Sequence, residues 1–108
     1  MTYESVLSQL GYTPNEALAD QLGRIEKNTR EYDRIIKHIL ELHESLKVDD
    51  SYIAMSNSND YFKIKIDTPA TANADSALEK INHFSEKYKV ELEKVAGKPT
   101  YYIIGYSK

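Results

Sequence analysis

Between residues 18 and 46 the apolar positions step by four and three without a break: Leu18, Leu22, Ile25, Thr29, Tyr32, Ile36, Ile39, His43, Leu46. This spacing lines one face of an α-helix and, sustained over four heptads, the seam of a coiled coil. A stripe of that length must be covered, either by the rest of the chain or by a second copy.

The start of the helix is marked by Thr13-Pro14-Asn15-Glu16. Thr13 is placed as the N-cap, Pro14 at the first helical position, and Glu16 as the closing member of a capping box. One long helix is therefore expected over residues 14–47, about 50 Å at 1.5 Å per residue. With Leu22, Thr29, Ile36 and His43 at a, the flanking positions are polar in the first half (Gln21, Glu26, Asn28, Asp33) and apolar in the second (Ile35, Leu40, Leu42). A narrow stripe fits one neighbouring helix, whereas a broad one fits a globular core. The second half is thus expected to anchor in this chain's own body, leaving the first half to pack on a short helix at Tyr3, Val6, Leu7 and Leu10, on another subunit, or on both. Gly23, on the outer face, is read as marking a kink or a break in this helix.

After Asp49-Asp50-Ser51 the period changes. Tyr52 to Ser56 reads as a short strand, and Ser56-Asn57-Ser58-Asn59-Asp60 as a turn. Phe62, Ile64 and Ile66 alternate with Tyr61, Lys63, Lys65 and Asp67, the pattern of a half-buried strand. A proline-containing connection at residues 68–73 leads to a helix at residues 74–89. Two further strands follow, at residues 90–95 and 100–107. The last is apolar on both faces, with Tyr102, Ile104 and Tyr106 on one side and Tyr101 and Ile103 on the other, which argues against an edge position.

The fold expected is α+β, a two-layer domain: an N-terminal helical hairpin with one long helix, then ββαββ forming a four-stranded, mostly antiparallel sheet. All 108 residues are read as one domain, with residues 1–48 helical and 51–108 forming the ββαββ part.

Composition narrows function by exclusion. The chain has no cysteine, which removes disulfides, thiolate metal sites and cysteine nucleophiles. A net charge of −3 gives no global attraction for nucleic acid or anionic membrane. The opening Met1-Thr2-Tyr3-Glu4 lacks the basic and apolar regions of a signal peptide, and no stretch approaches a membrane span, so a cytoplasmic location is expected. His38 and His43 are five apart and leave a helix in different directions. No HExxH, Walker A or GxGxxG pattern is present. No metal, cofactor or catalytic residue is assigned, and an enzymatic role is disfavoured.

Tyr61, Lys63 and Lys65 on one strand face have the character of a single-strand platform. Glu91 and Glu93 are expected on the same face, where cross-strand ion pairs would cancel a phosphate track. Nucleic-acid binding is therefore disfavoured.

The function expected is a non-catalytic protein–protein interaction module that forms a homodimer through its N-terminal helices. The self-association residues would be Leu18, Leu22, Ile25, Tyr32 and His43, with His43 as a partnered core residue, a registry device or a pH switch between copies. The alternative is a small-ligand-binding protein or enzyme whose pocket, between sheet and helices, is lined by some of the nine tyrosines.

Overall fold

A computed structural model describes residues 2–66 and 72–107. Helix α1 (Tyr3–Gln9) is capped by the Thr2 hydroxyl, which accepts from the Ser5 N–H at 3.1 Å. Helix α2 (Glu16–Asn28) is capped by the Asn15 carboxamide oxygen, 2.8 Å from the Leu18 N–H. The expected cap at Thr13 is thus replaced by one two residues on, and Pro14 lies outside the helix. Helix α3 (Tyr32–Leu46) leads through a 3-10 turn (Lys47–Asp49) into strand β1 (Ser51–Met55). Strand β2 (Phe62–Ile66), helix α4 (Ala72–Tyr88), strand β3 (Val90–Lys94) and strand β4 (Thr100–Tyr106) complete the chain. Of the connection expected at residues 68–73, residues 68–71 lie outside the described residues, as does Asp67; Ala72 and Asn73 already belong to α4.

The strands form one antiparallel sheet in the order β1-β2-β4-β3, so β4 is internal, as its two apolar faces require. Ile53, Met55, Phe62, Ile64 and Ile103 turn toward the helices and are buried with Ile35, Ile39 and Leu46 of α3 and Ala77, Ile81 and Phe84 of α4. The two-layer α+β arrangement expected from the periodicity is the one found.

The expected long helix is two helices. The interruption falls at Thr29, Arg30 and Glu31, and α2 runs unbroken through Gly23. Thr29 leaves helical geometry while its hydroxyl donates to the Ile25 carbonyl at 2.7 Å, a side-chain bond that competes with the helical ladder. Arg30 then enters the sheet. Its N–H donates to the Ile104 carbonyl (3.4 Å) and its carbonyl accepts from the Tyr106 N–H (3.0 Å), forming a one-residue parallel bridge to β4. Glu31, at φ 53°, turns the chain into α3. Backbone bonds to β4 thus replace helical ones, and because α2 and α3 face one core the four–three register continues across the break.

The polar flank of α2 has an intramolecular use. Gln21 donates to the Ser56 carbonyl (3.0 Å), Arg24 meets the Asp60 carboxylate (3.4 Å), and Asn28 donates to the Asp60 carbonyl (3.3 Å). These positions, three and four residues apart, share one helix face and dock the β1–β2 turn on α2.

Strand β1 lies at the sheet edge, but two of its outward N–H groups are satisfied. That of Ile53 donates to His43 Nδ1 and that of Met55 to the Tyr12 hydroxyl, each at 3.0 Å. At the foot of α3, buried Asp49 accepts from Lys80 (2.6 Å) and Ser76 (3.2 Å) and ties the 3-10 turn to α4. No helix among the described residues is long and apolar enough to cross a membrane.

Candidate functional site

The structure places the five seam residues within the chain's own packing. Leu22 and Ile25 have 0% exposure, Tyr32 and His43 are buried, and Leu18 is partly buried against the same core. The first half of the seam is covered by α1, through Val6, Leu7 and Leu10, and by the sheet, and no apolar stripe is left open along it. His43 faces β1, so of the roles considered for it the partnered core residue is the one seen. Its imidazole is held below the ordinary histidine range by burial and then by the Lys47 charge, against a smaller opposing effect of Glu44. Among the described residues no three metal-binding side chains come together.

Two surfaces bring charged and aromatic side chains together. The first is the sheet face turned away from the helices. Tyr52 and Ala54 of β1, Lys63 and Lys65 of β2, and Tyr102 and Ile104 of β4 are half-buried on it, and Glu91 and Glu93 of β3 are exposed. Register sets Ala54, Lys63, Tyr102 and Glu93 in one row across the four strands. Tyr61 lies beside Tyr102, with ring centroids 6.0 Å apart. The Tyr102 phenol is drawn below its ordinary pKa by hydrogen bonds from Ser56 and then Asn59, helped by the charges of Lys63 and Lys98.

The cross-strand ion pairs expected between the β2 lysines and the β3 glutamates are not made. β4 separates the two strands, putting Lys63 two strand spacings, about 10 Å, from Glu93. Glu91 pairs with Arg30. Tyr106 also departs from the expected alternation. A β-bulge opposite Glu91 and Leu92 adds one residue to β4, pairing Tyr106 with inward-facing Val90. Its ring meets α3, where the Arg34 guanidinium stacks on it at 4.1 Å.

The second surface is a cleft of about 320 Å³ where α3 meets the junction of α4 and β3, with Arg34, His38, Lys87, Tyr88, Lys89 and Tyr106 in its lining. No motif in the sequence points to this cleft. The signals were Arg34 and His38, four apart on one helix face, and the run Lys87-Tyr88-Lys89 at a helix end. No linear motif joins these two segments; only the packing of α3 on α4 does.

No family model matches this sequence, and no curated protein and no solved structure matches it either.

Proposed function

We propose that this protein is a non-catalytic interaction module that pairs with a second copy of itself through the open face of its sheet. The observation that supports this is the charge order across that face: lysine on β2, tyrosine on β4, glutamate on β3, in the single row Lys63–Tyr102–Glu93. A two-fold axis running along β4 reverses the row. Lys63 then lies over the partner copy's glutamate, Glu93 over its lysine, and the Tyr102 rings meet at the centre. An aromatic centre with a charged rim is the usual anatomy of a protein interface. Sheets packed face to face lie about 10 Å apart, within reach of an extended lysine and glutamate. This reading keeps the homodimer expected from the sequence but moves it from the helical seam to the sheet.

The face is small. Four strands of about five residues span roughly 17 by 19 Å, about 320 Å² per copy and below the usual size of a stable interface, so a weak dimer with a Kd of about 10–100 micromolar is expected.

Sedimentation equilibrium across the micromolar range tests the proposal. A concentration-dependent dimer is expected. Lys63→Glu should weaken it by facing like charges across the axis, and the double exchange Lys63→Glu with Glu93→Lys should restore it. A monomer at several hundred micromolar, or a dimer indifferent to the single reversal, overturns it.

A further inference from the structure

From the cleft between α3 and the α4–β3 junction, we infer a second binding site, for the phosphate group of a small phosphorylated ligand. Arg34, Lys87 and Lys89 all line this cleft, and among the described residues none of the three has a carboxylate partner. No carboxylate lines it, although the chain as a whole carries a charge of −3. Three cations without a carboxylate partner raise the local potential, partly offset by the negative end of the α4 dipole, and a dianion relieves their mutual repulsion.

All three cations are solvent-exposed, and two of them lie over aromatic rings. Arg34 lies on the Tyr106 ring at 4.1 Å, which leaves the edge of its guanidinium fork to donate in the plane, the geometry that grips a phosphate through two oxygens. Lys87 stands 5.4 Å over the Tyr88 ring. The His38 imidazole, on the same face of α3 as Arg34, stacks on Tyr88 at 3.7 Å and 12° and has Glu41 3.1 Å from its Nδ1.

Lys89 adds an independent observation. It directly follows the last residue of α4 and adopts φ 55°, the left-handed conformation that helix ends ordinarily give to glycine. Ser107 holds that backbone, donating to the Lys89 carbonyl from its N–H (2.7 Å) and from its hydroxyl (3.0 Å). A long cation thus occupies a position that glycine fits more easily, with its backbone fixed beside the cleft it lines. The dipole of α4 favours positive charge at its end. It does not explain why Arg34 arrives at the same cleft from α3.

At about 320 Å³ the cleft is at the small end of ligand pockets, which suits a phosphate monoester.

The test is an amide NMR titration of the full chain with inorganic phosphate and with glycerol phosphate, against sodium chloride at equal ionic strength. Saturable shifts are expected at Arg34, His38, Tyr88, Lys89 and Tyr106, with a Kd at or below about 10 mM. Arg34→Gln should weaken binding about tenfold, the loss of one charge-assisted contact. Lys89→Gly should weaken it similarly while melting at or above the parent temperature, which separates loss of a ligand contact from loss of fold. No saturable shift, or shifts that survive both substitutions, overturns the inference. Binding to phosphatidic acid vesicles without binding to the soluble phosphates also overturns it, since the site would then read a membrane surface. Lys63→Glu, on the sheet face, should leave the titration unchanged, so this test and the dimer test fail separately.

Discussion

His43 Nδ1 accepts a hydrogen bond from the Ile53 N–H at 3.0 Å, and so caps the outer edge of β1 from inside the core. Only a neutral imidazole can accept there. Burial and the Lys47 charge hold the His43 pKa below its ordinary 6.5. The folded state therefore resists protonation more than the unfolded chain does. The stability this contributes is complete above about pH 6.5 and declines as pH falls through the folded value. Urea denaturation should give a lower unfolding free energy at pH 5 than at pH 7.5. His43→Leu should cost about 1–3 kcal/mol at pH 7.5 by leaving the Ile53 N–H without an acceptor, and should flatten the curve between these pH values. A parent protein equally stable at both would remove His43 as the sensitive group.

Gly105 permits the entry of Arg30 into the sheet. A Cβ there would stand 2.4 Å from the Arg30 backbone nitrogen, and the residue sits at φ +140°. Neither the contact nor the dihedral can relax by moving a flexible side chain. Gly105→Ala should therefore cost about 1–3 kcal/mol or more, comparable to other strained backbone positions. It should also loosen the α2–α3 junction, visible as faster hydrogen exchange at the Arg30 and Tyr106 amides. Unchanged stability and exchange would mean that the two backbones separate without cost.

The same glycine shows where sequence reading stopped. Periodicity revealed the elements because each must bury one face: Phe62, Ile64 and Ile66 in β2, or Ile35, Ile36 and Ile39 in α3. It did not reveal the break at Thr29, because α2 and α3 pack on one core and keep one register. The break comes from backbone hydrogen bonds to a strand some seventy-five residues away, which leave no mark on the apolar pattern. Gly105 inside a strand was the available signal, since a glycine there often marks a close backbone approach. Strand order was equally illegible, and with it the separation of Lys63 from Glu93. The cleft joins Arg34 to Lys89 through the packing of two helices, beyond the reach of any local motif.

Gly23 is a different case. It lies within continuous helix, and an added Cβ would meet the Tyr3 hydroxyl at 3.6 Å, an ordinary contact. Gly23→Ala should stabilise the protein by about 0.5–1 kcal/mol through helix propensity. Thermal unfolding would show the gain as a rise of about 2–8 °C. A fall in stability would show that Tyr3 needs the open space beside it.

Tyr32 carries the only buried side-chain polar atom without a hydrogen-bond partner among the described residues. Its ring packs against Phe62, centroids 6.3 Å apart and 21° from parallel, so the aromatic body is well used while the hydroxyl is not. Burial, followed by the nearby Glu26 charge, pushes the phenol far above its ordinary pKa. An unsatisfied buried hydroxyl costs about 1–3 kcal/mol, and Phe keeps the ring contact. Tyr32→Phe is therefore expected to raise the unfolding free energy by about 1 kcal/mol, or the Tm of a domain this size by about 4–8 °C. Differential scanning calorimetry at pH 7.5 measures this directly. A loss of stability would mean that the hydroxyl has a partner after all, most simply a buried water, and that its bond is worth more than the desolvation it relieves.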